Sequence, residues 1–187
     1  MPPKVKITKS DIIRTTVELV RENGEQAINA RAIASALNCS TQPIFSNFTS
    51  MEELQSEVSA AAYELYLGFL KNDAESGKYP TYKAFGMAYI RFAKEEKNLF
   101  KLLFMCDREG MEPVSSPDFE ASVEIIMKAN NISKETAELM HFEMWAFVHG
   151  IATMLATSYL SLDWELISGM LTDVYQGIRR SHVSKEV

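Results

Sequence analysis

The chain has 187 residues and a formal net charge of −6, which argues against a protein held to polyanions by bulk charge alone. Its 47% apolar content supplies a full core, and 8 Gly, 6 Pro and short β-branched runs point to an all-α class. No apolar stretch is long enough to span a bilayer, the opening Met-Pro-Pro-Lys-Val-Lys lacks a signal-peptide core, and Cys39 and Cys106 read as reduced packing thiols of a cytoplasmic protein.

Residues 1–7 read as a basic arm, with Lys4, Lys6 and Lys9 in reach of phosphates. Thr8-Lys9-Ser10-Asp11 is a capping-box-like start for a helix over 9–23. Ile12, Ile13, Val17, Leu19 and Val20 form its apolar face, and Gly24 ends it in a left-handed cap. Asn29 caps a helix over 30–37, whose Ala30, Ile33, Ala34 and Leu37 fall at i, i+3, i+4, i+7. Asn38 suits the turn that follows. Ser40 is the expected cap of the next helix, with Pro43 at its third position. That helix turns Ile44, Phe45 and Phe48 inward. It leaves Thr41, Gln42, Ser46 and Asn47 outside. Ser50-Met51-Glu52-Glu53 is a capping box opening a long helix over 51–71.

Helix, short turn, helix is the layout that places a second helix in the major groove of DNA. Gln42 and Asn47 are amides able to pair with adenine, and the Thr41 methyl can meet a thymine methyl. Ser46 is a further candidate for base or backbone contact, Pro43 for an apolar contact, and Phe45 for packing on sugar. Lys9, Asn29, Arg31, Thr49 and Ser50 are candidate phosphate contacts, since helix N-termini present free amides to anions. The charge is distributed accordingly. Residues 1–50 carry six basic against four acidic residues, and residues 51–187 carry thirteen against twenty-one.

Gly77 and Pro80 mark a loop over 72–80. Helices follow over 82–94 and 97–106, the second apolar nearly all round. Gly110, Pro113 and Pro117 fall in a long loop over 107–118, a candidate lid. Helices over 119–130, 134–158 and 164–180 complete the chain, the 134–158 helix capped by Ser133. The last two carry more apolar surface than one body can hide. No Gly-rich phosphate loop, nucleophile elbow or metal-spaced ligand set occurs, so neither a cofactor nor a metal is expected, and no enzyme is read.

The run Ile33-Ala34, Leu37-Asn38-Cys39-Ser40, Pro43-Ile44-Phe45-Ser46-Asn47-Phe48 and Met51-Glu52-Glu53-Leu54 resembles the signature of TetR/AcrR-type transcriptional regulators. That signature is roughly Thr-(x)3-Ile-Ala, Gly-Val-Ser, Leu-Tyr-x-(His/Tyr)-Phe-(x)2-Lys-Glu-x-Leu. Here Phe45 stands for the usual Tyr, whose hydroxyl meets a phosphate, and Met51 for the usual Lys. Asn38 replaces Gly, and Asn47 replaces the His or Tyr. The Trp-x-x-x-His-Gly run at 145–150 resembles a motif of one TetR C-terminal subfamily.

The resemblance implies a three-helix DNA-binding head over 1–50 and a helical effector-binding and dimerisation body over 51–187, about nine helices in all. It implies a homodimer through helices 134–158 and 164–180, a palindromic double-stranded DNA operator, and a small-molecule effector pocket between the middle helices. Met87, Phe104, Met105, Trp145 and His149 are the expected lining of that pocket. The reading is a ligand-responsive repressor. The alternative is a helical interaction protein that does not bind DNA.

Overall fold

A computed structural model describes residues 7–107 and 117–183, and the residues so described contain nine α-helices, one 3₁₀ turn and no strand. The all-α expectation therefore holds. The arm bearing Lys4 and Lys6, and most of the expected loop over 107–118, lie outside the described residues. The chain divides into two compact units. One is Met1–Gly68 with Glu96–Cys106, and the other is Phe69–Glu95 with Asp107–Val187.

The first unit opens with α1 (Lys9–Asn23), capped as its sequence dictates. Thr8 Oγ1 accepts from the Asp11 amide at 3.1 Å, and the Thr8 amide donates to Asp11 Oδ2 at 3.1 Å. Ile12, Val17 and Val20 are buried, as expected. Ile13 and Leu19 are only half-buried. Thr16 fills the face instead, its hydroxyl returned to the Ile12 carbonyl at 2.7 Å. Gly24 has the positive φ expected of a cap, +83°, but its ψ of −178° is extended rather than left-handed helical. That geometry feeds the 3₁₀ turn Glu25–Ala27.

Helices α2 (Ala30–Ala36) and α3 (Gln42–Asn47) follow, then α4 (Met51–Glu75), whose residues through Gly68 belong to this unit. Helix α6 (Lys97–Phe104) also belongs here, packed on α1. Arg21 Nε meets Glu96 at 2.7 Å, and Asn98 Nδ2 donates to the Arg21 carbonyl at 3.0 Å. Leu99 and Phe100 are fully buried, and Phe104 sets its ring edge-on to Tyr66, 5.2 Å between centroids.

The second unit contains the end of α4 with α5 (Thr81–Glu95), α7 (Pro117–Asn130), α8 (Lys134–Ala156) and α9 (Trp164–Val183). Helices α5 and α8 form its most extensive pair, and both also pack on α7 and α9. Gly86 allows the close approach: a Cβ there would lie 3.1 Å from Leu171 Cδ2 and 3.5 Å from Val148 Cγ2. A second cluster, Val123, Ile126, Ile132, Ala137 and Met140, closes α7 onto α8. Ser133 caps α8 as expected, accepting from the Thr136 amide at 3.2 Å.

Two matched tyrosine–histidine pairs join α5 to α8. The Tyr82 hydroxyl lies 3.0 Å from His141 Nδ1, and the Tyr89 hydroxyl 2.8 Å from His149 Nδ1. Burial pushes both phenols far above their ordinary range, so each keeps its proton. Which partner donates in each pair is set by the imidazole tautomer. Burial also pulls both histidines below their ordinary value of 6.5, with Asp118 opposing this at His141.

These depressed histidines set the sign of a pH dependence. Below pH 6.5 the unfolded chain binds protons that the folded chain refuses, so stability falls as pH drops from 6.5 through the depressed folded values. It levels off below them. The urea midpoint is expected to decline between about pH 7 and pH 5. His141→Gln with His149→Gln keeps a hydrogen-bonding amide for each tyrosine and is expected to flatten that decline. An undiminished decline in the double variant would assign the effect to other groups.

Candidate nucleic-acid interface

The segment from α2 through the turn to α3 is built largely as its residues specify. Asn29 Oδ1 accepts from the Ala32 amide at 2.9 Å and fixes the start of α2. Ile33 and Ala34 are buried. Asn38 takes φ +51°, the left-handed turn that its short amide tolerates. Ser40 does not cap α3. The cap position is Thr41, already helical at φ −72°, ψ −13°, and its side chain makes no capping bond. The Ile44 and Phe45 amides reach the Thr41 carbonyl, at 3.1 and 3.4 Å, which moves the start one residue on and places Pro43 in the second helical position.

Ile44 is the only buried residue within α3, and Phe48 just beyond it is 3% exposed. These two side chains seat a helix too short to persist alone. Phe45 does not turn inward as its apolar character suggests, because the single buried row of so short a helix is filled by Ile44. Gln42, Phe45 and Ser46 are exposed or partly so, while Thr41 and Asn47 are half-buried. Two of the expected base readers are engaged with their own helix. Ser46 Oγ donates to the Gln42 carbonyl at 2.8 Å, and Asn47 Nδ2 to the Pro43 carbonyl at 2.7 Å.

The expected phosphate contacts are similarly committed. Asn29 spends its carbonyl on the cap and its amide on the Gln26 carbonyl at 3.0 Å. Lys9 Nζ reaches Glu57 at 2.7 Å and Glu53 at 3.1 Å, and lies 5.0 Å above the Phe48 ring. Thr49 gives both its amide and its hydroxyl to Glu53 Oε2, each at 2.7 Å. Ser50 Oγ accepts from the Glu53 amide at 3.2 Å, the expected cap of α4. The Thr49 amide, then the Thr49 hydroxyl, then Lys9 hold the Glu53 carboxyl down at about 2. Glu53 therefore occupies the donors that a phosphate would use. Arg31 is exposed and makes no ion pair among the described residues.

The expected effector residues are divided. Phe104 and Met105 belong to the first unit, and Met87, Trp145 and His149 to the second. Met105 is 40% exposed and borders a groove of about 350 Å³ with Asn23, Gln26, Asn98 and Lys101. Met87 is buried on α5. Trp145 stacks on His149, 5.0 Å between centroids, and on Phe142 at 6.2 Å. This ladder runs along an outer face of α8, which also presents Leu139, while α9 presents Leu166.

Residues 82–172 match the tetracyclin repressor-like C-terminal domain. Residues 82–172 are thus a TetR-like C-terminal domain. The matched segment takes in most of α5, all of α6 and α8, and the first half of α9, so it includes all five expected effector residues and the Trp-x-x-x-His-Gly run. The helix-turn-helix lies outside it. No curated protein matches the chain. TetR-family regulators are generally non-enzymatic. No helix among the described residues is long and apolar enough to cross a membrane.

Proposed function

We propose that the chain is a DNA-binding repressor that acts as a homodimer on a palindromic operator and is released by a small-molecule effector. The observation that supports this most is a capped helix-turn-helix with an outward uncharged α3, carried on a chain with a TetR-like C-terminal domain. In this reading α3 enters the major groove and Arg31, with the α2 N-terminus, meets a phosphate. The exposed α8 and α9 faces pair across a twofold axis, which sets two α3 copies about one helical turn of DNA apart, or a multiple of it. An effector held by Met87, Trp145 and His149, or by Phe104 and Met105, shifts DNA affinity by about 1–3 kcal/mol.

The test is selection of bound duplexes from a random library with the full chain, the winners titrated against salt. A twofold-symmetric consensus with a shallow salt slope is expected, because Lys9 is neutralised by two glutamates and α3 carries no cation. That same neutralisation of Lys9 beside an uncharged α3 favours the second reading, a helical interaction module that does not bind DNA. No enrichment would sustain the second reading against the first.

A further inference from the structure

The outer surface of α3 is distinguished by what is left once its internal bonds are counted. Gln42–Asn47 contains no charged residue. The Ser46 hydroxyl proton and the Asn47 amide are turned back onto carbonyls of the same helix. Of the exposed side chains Gln42, Phe45 and Ser46, the two not bonded to their own helix, at i and i+3, are the Gln42 amide and the Phe45 ring. Phe45 is 58% exposed, among the most exposed large apolar side chains of the chain. It has no hydroxyl, so it offers a phosphate oxygen no hydrogen bond. Its ring makes no aromatic or cationic contact among the described residues. Such a ring gains free energy only when apolar surface is brought to it. On the base edges of the major groove the apolar group is the thymine C5-methyl.

We infer that Phe45 is a specificity-determining residue that reads a thymine methyl in each half-site. The inference rests on the DNA-binding reading above and deepens it by naming the base. Gln42, one turn away on the same side, is placed to pair with a neighbouring adenine through its amide. The half-site would then be chosen by an apolar contact and a neutral amide, on a helix with no cation to grip the backbone.

The test uses the full chain and its selected duplex, with each thymine in turn replaced by deoxyuridine. That change removes one methyl and leaves pairing and backbone alone. At one thymine per half-site the wild-type chain should lose about threefold to fivefold in affinity, and about tenfold or more when both half-sites are changed. Phe45→Ala should bind the unmodified duplex more weakly by a similar factor and be indifferent to deoxyuridine at that position. Because Phe45 is exposed, the variant should keep the wild-type circular dichroism spectrum and melting temperature. A duplex bound tightly by the wild-type chain, in which no deoxyuridine matters more to it than to Phe45→Ala, overturns this inference and leaves DNA binding standing. Failure to select any duplex overturns both.

Discussion

Ile44→Ala is expected to lower stability by about 2–5 kcal/mol and to abolish sequence-specific DNA binding under conditions where the chain is still folded. Ile44 is fully buried and is the only such side chain within α3. A helix of six residues has no independent stability, so its position on the first unit depends on Ile44 and on Phe48 behind it. Truncation leaves a cavity that the short helix can fill only by moving. Movement of α3 displaces every outward group at once, because Gln42, Phe45 and Ser46 all project from the same short segment. Urea unfolding and a duplex titration on the same preparation check both parts. Ser46→Ala, on the outer side, should change stability by less than about 0.5 kcal/mol. A loss below about 1 kcal/mol for Ile44→Ala would show that α3 is not seated through this side chain.

Phe142→Asp is expected to convert the proposed dimer to a monomer, weakening self-association by about thirtyfold or more, with little change in the stability of the single chain. The separation of the two effects follows from exposure. Phe142 is 61% exposed on one chain, and Trp145 beside it is 42% exposed, so neither contributes much to folding the chain that carries it. Their stacked rings are a large apolar area that a second copy would cover, and a carboxylate in the centre of that contact would be buried without a partner. Sedimentation across a dilution series reads the change directly. A variant that remains a dimer at wild-type concentrations would move the interface away from this face of α8. The same variant should also lose affinity for a symmetric duplex, because two heads no longer act as one ligand.

The helices are legible in the sequence because capping and periodicity agree with the tertiary structure. Thr8, Asn29, Ser50 and Ser133 all cap where spacing places them. Long-range bonds explain where the elements outrun the pattern. Periodicity carries α4 to residue 71, yet the helix continues to Glu75, where Asp73 is held by Arg91 at 2.6 Å. Periodicity carries α9 to residue 180, yet the helix continues to Val183, with His182 set against Glu143 at 3.1 Å. The apolar circumference of α6 announces burial but not its site. Its membership in the first unit depends on Glu96 and Asn98 meeting Arg21, some 75 residues earlier.

At the candidate interface most of the outward set of α3 is readable by helical position, and the commitments within it are not. Ser46 and Asn47 each find an acceptor four residues back on their own helix, a competition that residue type allows but does not decide. Lys9 reads as a phosphate contact because its partners Glu53 and Glu57 lie 44 and 48 residues away. Trp145 and His149 read as pocket lining because an aromatic–histidine pair on an apolar helix has that appearance from sequence. Trp145 is exposed and stacks on exposed Phe142, whereas His149 is half-buried and bonded to Tyr89 at 2.8 Å.

In the proposed mode of action two chains present two α3 helices to one symmetric duplex. The most direct measurement is the mass of the complex formed by the full chain on its selected duplex, by sedimentation or native mass spectrometry. Two chains per duplex, or a multiple of two, are expected, with loss of the complex when one half-site is scrambled. A complex of one chain per duplex that survives scrambling of either half-site would contradict it.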